Sequence, residues 1–107
     1  MPSSKAELSQ FFGAYFHQDW VDEHSSWEQV AEHYAKDSGP LLTRLVASAV
    51  AKLSEAPISE KELSAQVQAL GCYYWPGTDE GYRSWLRELA AHMLVLAANH
   101  SLQSLRP

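Results

Sequence analysis

The stretch LSQFFGAYFHQDW, residues 8–20, decides the fold class of this 107-residue chain. Its apolar side chains recur at intervals of three and four residues, which is the period of one face of an α-helix. Ser4 and Glu7 precede the run with the spacing of a capping box, in which each side chain bonds a backbone N–H of the first turn. A first helix is therefore predicted, with an inward face of Leu8, Phe11, Phe12, Tyr15 and Phe16.

Similar signals predict the second and third helices. Ser25 and Glu28 repeat the capping-box spacing and open the second helix. The sequence DSGP, residues 37–40, ends it, because glycine tolerates unusual backbone angles and proline is favoured in the first turn of the helix that follows. The third helix is predicted to run from Pro40 to about Ser54. Its predicted inward residues are Leu42, Leu45, Val46, Ala49 and Leu53.

Two more helices complete the prediction. Ser59 and Glu62 form a third capping box, and Gly71 suits the left-handed residue that ends a helix. After the loop CYYWPGTDEG, residues 72–81, the last helix is predicted to bury Tyr82, Trp85, Leu86, Leu89, Met93 and Leu96. A short strand could form only within VQALGCYYW, residues 67–75. We expect an all-α fold, a single compact domain of about five helices in a small bundle over residues 1–107, with residues 100–107 as a flexible tail.

Composition and charge limit the classes of function. The lone Cys72 cannot form an internal disulfide, no secretory leader pattern opens the chain, and no apolar run is long enough to cross a bilayer, so we expect a cytoplasmic protein without a membrane partner. Residues 1–40 carry two lysines and seven acids, whereas residues 41–107 carry six bases and six acids. This acidic half disfavours nucleic acid as a partner and favours a basic protein.

Polar residues after the first helix form a candidate chemical cluster. His17, Asp19, Glu23 and His24 lie within eight residues, and imidazoles with carboxylates are common metal ligands. The spacing of His17 and Asp19 points them in different directions on a helix, so we expect no metal, no cofactor and no catalytic residue. A small metal-dependent or hydrolytic enzyme using His17, Asp19 and His24 remains the alternative.

Aromatic side chains give a different kind of candidate site. Tyr73, Tyr74 and Trp75 precede Pro76 in the predicted loop, and Trp20 ends the acidic turn. Tyrosine and tryptophan supply large contact areas at low entropic cost, which suits a protein interface. The same residues could instead close the core from outside. A generic helical interaction domain is therefore a further alternative.

Both ends of the chain resemble one group of contact-dependent growth inhibition immunity proteins. The resemblance is carried by ELSQFFGAYFHQDWVDEHSSWEQVAEHY, residues 7–34, and by GYRSWLRELA, residues 81–90. The first stretch contains a YFHQDW-like motif and the second a tyrosine followed by a tryptophan–leucine pair. The matching residues, which we expect to be structural, are Tyr15, Phe16, His17, Gln18, Asp19, Trp20, Tyr82, Trp85 and Leu86.

The resemblance implies a non-catalytic immunity protein that neutralises the C-terminal toxin domain of a secreted effector. Many such toxins are nucleases, which are basic in order to hold phosphates, and this agrees with the acidic half of the chain. We expect the free protein to be a monomer. Because different members neutralise different toxins, the contact residues are expected to lie mainly outside the shared motif, with Trp20 as the motif residue that is included. The predicted toxin-binding residues are Trp20, Asp22, Glu23, Glu28, Glu32, Tyr74 and Trp75.

Overall fold

The computed structural model describes the backbone of residues 4–78 and 80–104 and leaves out the side chains of Ser4, Glu23 and residues 100–104. Within these ranges the regular structure consists of helices without strands, which confirms the predicted all-α fold. None of these helices combines the length and apolarity needed to cross a membrane. The helices are α1 (Ser4–Tyr15), α2 (Trp20–Glu23), α3 (Trp27–Ser38), α4 (Pro40–Ser54), α5 (Glu60–Ala69) and α6 (Gly81–Ser104).

The described residues form six helices rather than the predicted five, and the additional one is α2. It is a single turn, too short for a periodic pattern to reveal. The backbone N–H of Trp20 bonds the carbonyl of His17 at 3.0 Å, and that of His24 closes the turn on the carbonyl of Trp20 at 2.9 Å. At the other end of the chain, α6 continues through Ser104, and residues 105–107 of the predicted tail lie outside the described residues.

The helix boundaries follow the predicted signals with one shift. The cap of α3 is Ser26 rather than Ser25, since Ser26 Oγ accepts from the N–H of Gln29 at 3.3 Å. The returning bond runs from the N–H of Ser25 to Gln29 Oε1 at 3.0 Å, so Gln29 takes the role predicted for Glu28. The capping bond predicted at Ser59 is present, whereas the side chain predicted to cap α1 at Ser4 is not among those described.

Gly71 ends α5 in a conformation that a larger residue could hardly adopt. Its φ of 97° lies in the left-handed region, where an added Cβ costs energy. A Cβ at this position would also lie 3.0 Å from the Cα of Gly13 in α1. The absence of a side chain therefore allows both the turn and the close approach of two backbones.

The centre of the bundle is the packing of α4 along α6, the most extensive contact between any two described helices. The buried face of α4 consists of smaller side chains than predicted, and Leu42 and Leu45 are 41% and 46% exposed. The prediction for these two leucines was wrong because the buried stripe of α4 follows Thr43, Val46 and Val50, about 100° around the helix from Leu42 and Leu45. The buried residues of α4 are Thr43, Val46, Ala47, Ala49, Val50 and Ser54.

One arginine ties the α4–α5 connection to α6. The Arg83 guanidinium donates to the backbone carbonyls of Ser54, Ala56 and Ile58 at 2.6, 3.0 and 2.7 Å. Its Nε also donates to Glu60 Oε1 at 2.6 Å. The planar guanidinium can satisfy several acceptors in a fixed geometry, which a lysine ammonium cannot. Arg83 therefore holds the start of α5 in place by polar contacts rather than by apolar packing.

Replacement of Arg83 by alanine is expected to lower the free energy of unfolding by about 2–4 kcal/mol, because three carbonyls and a carboxylate lose a charged donor. Arg87→Ala is the matched control: Arg87 is exposed one turn later on α6, and its loss should cost below about 0.5 kcal/mol. Urea unfolding followed by circular dichroism measures both values. Equal losses in the two variants would contradict the role assigned to Arg83.

Candidate protein-binding surface

The polar part of the N-terminal motif forms a turn. His17 is partly buried, and its Nδ1 accepts the backbone N–H of Asp19 at 3.1 Å. Asp19 is exposed and makes no side-chain capping bond to α2. Among the described residues, no three His, Cys, Asp or Glu side chains converge as a metal site, so His17, Asp19 and His24 do not come together as one set. His24 instead contacts α3, where its Nε2 lies 3.1 Å from Nδ1 of His33.

The aromatic part of the same motif lies in the core. Phe16 is fully buried, and its ring meets the edge of Trp85 in α6 at a centroid distance of 5.4 Å. Trp20 packs on Phe16 at 5.7 Å, while the hydroxyl of Tyr15 donates to Asp37 at 3.2 Å. Burial, followed by the bond and the charge of Asp37, raises the pKa of Tyr15. The exposed Gln18 completes the motif.

The C-terminal motif meets the N-terminal one through the aromatic loop. Tyr74 stacks on Trp85 at a centroid distance of 4.2 Å and an angle of 19°, and it contacts Trp20 at 5.9 Å. The hydroxyl of Tyr82 donates to the backbone carbonyl of Tyr74 at 2.6 Å, and the neighbouring Leu86 is fully buried. The two stretches that resemble the immunity proteins thus form one aromatic cluster.

Side chains of the loop alternate between the core and the surface. Cys72 and Tyr74 turn inward, whereas Tyr73 and Trp75 are 60% and 52% exposed. The backbone N–H of Tyr73 donates to the carbonyl of Phe16 at 2.8 Å, which fixes the loop on the end of α1. Such alternation is typical of an extended backbone. The segment is bonded to the end of a helix, however, and not to a neighbouring strand.

Burial determines the chemistry of Cys72. Removal from water raises the pKa of its thiol to about 12, because the charged thiolate is disfavoured in the core. A thiol with this pKa remains protonated near neutral pH and is a poor nucleophile. Cys72 is thus a small core residue.

Two acidic side chains act electrostatically on the aromatic cluster. Burial raises the pKa of Tyr74, and the charges of Glu28 on α3 and Glu88 on α6 raise it further, so both carboxylates lie within electrostatic range of this ring. One turn along α3, Glu32 Oε2 lies 3.9 Å from His92 Nε2 in α6, too long for a hydrogen bond. We call this set the acidic–aromatic surface: Trp20, Glu28, Glu32, Tyr74 and Glu88.

Packing of α3 on α6 forms the floor of this surface. Trp27 meets Trp85 edge to face at 6.2 Å and meets the ring of His92 at 5.7 Å. Nε1 of Trp85 and Nε2 of His92 are both buried without a hydrogen-bond partner among the described residues. The floor is therefore largely aromatic, and the charged groups stand at its margins.

The predicted contact residues divide between several places. Trp20, Glu28, Glu32 and Tyr74 belong to the acidic–aromatic surface, whereas Asp22 is exposed on α2 and the side chain of Glu23 is not described. Trp75 contacts Tyr82 at 5.8 Å and lines a depression of about 410 Å³. That depression is lined by Gln68, Gly71, Cys72, Tyr73, Tyr74, Trp75 and Tyr82, without any of the predicted acids.

Sequence reasoning missed Glu88 and His92. Both lie on α6 at three and seven residues after Trp85, a spacing that places them on the same side of a helix as this ring. The spacing alone could have indicated them. The balanced charge of residues 41–107 does not mark any single acid of that half.

A comparison with protein-family models matches residues 4–93 to the family described as CdiI immunity protein. The comparison with curated proteins and the comparison with solved structures give no match. The family match covers most of the chain and contains both motifs of the aromatic cluster. The chain therefore belongs to the CdiI immunity protein family.

Proposed function

We propose that this immunity protein neutralises its cognate toxin by covering a basic surface of the toxin domain with the acidic–aromatic surface, without catalysing a reaction. Membership of the family supports a role in toxin neutralisation. The observation that supports the finer proposal is that an aromatic cluster held by the stacking of Tyr74 on Trp85 is acted on by the charges of Glu28 and Glu88, which come from two different helices.

The aromatic part of the surface suits a binding anchor because it is held in place before a partner arrives. Tyr74 stacks on Trp85, and its backbone carbonyl accepts the hydroxyl of Tyr82. Trp20 is packed between Phe16 and Tyr74. Rings that are already ordered lose little entropy on binding, so more of the contact energy contributes to affinity.

The acidic part suits a partner with clustered lysine or arginine. A nuclease is the favoured class of toxin, because a protein that holds phosphates must be basic where they bind. Glu28, Glu32 and Glu88 would then pair with groups that otherwise contact nucleic acid, and the complementary charges would speed association. On this proposal the protein acts in the cytoplasm as a monomer that forms a one-to-one complex, with no nucleic acid as its own partner.

Tyr73 and Trp75 extend the proposed contact beyond the acids. Both are exposed large aromatics on a loop whose backbone is fixed at Tyr73, and both line the depression beside Tyr82. Fixed aromatic side chains of this kind are frequent centres of binding energy. We therefore retain Trp75 as a toxin contact, next to the acidic–aromatic surface rather than within it.

Removal of the charges of Glu28 and Glu88 is expected to slow association. For the double variant Glu28→Gln and Glu88→Gln, the association rate constant with the cognate toxin domain should fall about ten-fold at low salt, and its dependence on salt should weaken. The matched control is the double variant Glu55→Gln and Glu62→Gln, which removes the same two charges from exposed positions at the end of α4 and on α5. Stopped-flow measurements between low and high salt give both values. Unchanged association in the variant of Glu28 and Glu88 would remove the acids from the proposed interface.

Alanine substitution is expected to distinguish the role of Trp75 in toxin binding from the combined role of Tyr74 in binding and stability. Trp75→Ala should weaken toxin binding by about 2 kcal/mol and leave the free energy of unfolding nearly unchanged, because half of this side chain is exposed. Tyr74→Ala should lower both the affinity for the toxin and the free energy of unfolding, since it also removes the ring stacked on Trp85. Calorimetric titration and urea unfolding of each variant test this difference. A Trp75→Ala protein that binds like the wild type would exclude the depression from the interface.

The non-catalytic part of the proposal predicts that candidate nucleophiles and bases can be replaced without loss of protection. His17→Ala and Cys72→Ala should each retain inhibition of the toxin in a cell-survival assay, with some loss of thermal stability because both side chains are at least partly buried. Loss of protection by a variant that remains folded and still binds the toxin would revive the enzymatic alternative.

A further inference from the structure

A pair of histidines next to α1 forms a geometry that neither the family nor the proposed toxin contact explains. His24 Nε2 and His33 Nδ1 approach to 3.1 Å, with their rings tilted by 60°. On the other side of its ring, His33 Nε2 lies 3.0 Å from Asp37 Oδ2. Tyr15 donates to the same oxygen at 3.2 Å. The network connects α1, α3 and the residue that ends α2.

The pair has the separation of two ligands on one metal ion. At metal–nitrogen distances of about 2.0–2.1 Å, two ligands are about 2.9 Å apart at a right angle and about 3.3–3.4 Å apart at a tetrahedral angle. The observed 3.1 Å lies between these values. The two nitrogens therefore have the spacing of two ligands on one ion, and side-chain rotation is needed to direct both lone pairs at it.

Asp37 prepares His33 for this role. A carboxylate 3.0 Å from Nε2 favours the tautomer with its proton on Nε2, which leaves the lone pair of Nδ1 available. A carboxylate that orients a ligating imidazole in this way is a frequent feature of protein metal sites. Tyr15 contacts both residues: its hydroxyl donates to Asp37, and its ring meets the ring of His33 at a centroid distance of 5.6 Å.

We propose that His24 and His33 bind a divalent transition-metal ion of the Zn²⁺ class through Nε2 and Nδ1, with Asp37 as the residue that positions His33. Imidazole nitrogens favour Zn²⁺, Cu²⁺ or Ni²⁺ over Mg²⁺ and Ca²⁺. His24 places its proton on Nδ1 when Nε2 becomes a ligand, so both rings bind as neutral imidazoles. The remaining positions around the ion are filled by water.

Both ligands are accessible to an ion from solvent. His33 and Asp37 have side chains that are about half exposed, and His24 is partly buried on a backbone fixed by its bond to Trp20. An ion held here would link the end of α2 to α3. It would contact the side of α3 that faces α1, and this separates the site from Glu32, which approaches His92 of α6.

Calorimetric titration of the full chain with Zn²⁺ alone, in a buffer that does not bind metals, tests the proposal. The wild type should take up one ion per chain, and Mg²⁺ should give no saturable binding. His24→Ala and His33→Ala should each weaken Zn²⁺ binding at least ten-fold, and Asp37→Asn should weaken it about ten-fold. The matched control is His17→Ala, which removes another histidine near the same turn and should leave the affinity within about two-fold.

A measurement on the wild type keeps the test independent of the stability of the variants. On addition of Zn²⁺, the imidazole ¹⁵N resonances of His24 and His33 should shift together, while those of His17 and His92 should stay in place. No saturable Zn²⁺ binding by the wild type at millimolar concentration would overturn the proposal, since the pair would then be only hydrogen-bonded. Binding that survives in His24→Ala or His33→Ala would overturn it as well.

Discussion

The fold depends on the contact between Phe16, at the end of α1, and Trp85, in the first turns of α6. These two residues are separated by most of the chain, and their edge-to-face packing joins its two ends at the centre of the core. Tyr74 then stacks on the free face of Trp85, and this requires the loop that precedes α6 to run in extended form past the end of α1. Large aromatic contacts of this kind contribute strongly to a small core. The position of the loop, and with it the acidic–aromatic surface, follows from this one packing arrangement.

The same contact explains why the motif that identifies the family differs from most of the surface proposed to bind toxin. Phe16, Trp85, Tyr82 and Leu86 are buried, so a partner cannot reach them without unfolding the protein. His17 and Asp19 shape the turn that directs Trp20 back onto Phe16. The motif therefore determines where the surface lies, whereas on the proposed function the charged groups at its margins select the partner.

Periodicity and end signals were sufficient to predict α1, α3, α4, α5 and α6, because each of them has a local signal that tertiary packing does not override. The prediction failed at Leu42 and Leu45, where the choice of the buried face depends on the side chains of α6 and is not visible within α4. The contacts of Arg83 with backbone carbonyls had no sequence signal, since any residue type can supply a carbonyl. Similarly, the sequence placed Glu28 and Tyr74 in one functional class, whereas the only sequence signal for Glu88 was its spacing from Trp85, and the fold relates its charge to Tyr74.

Helix α3 shows how a short element can serve two surfaces without conflict. Val30 and Tyr34 point into the core. Glu28 and Glu32, four residues apart, lie along the margin shared with α6, while His33 and Asp37, also four apart, lie along the margin shared with α1. Successive helical residues differ by about 100° in direction, so Glu32 and His33 necessarily belong to different surfaces. If the margin shared with α6 faces the toxin as proposed, a change of its charge can therefore alter the choice of partner while the core and the histidine pair keep their geometry.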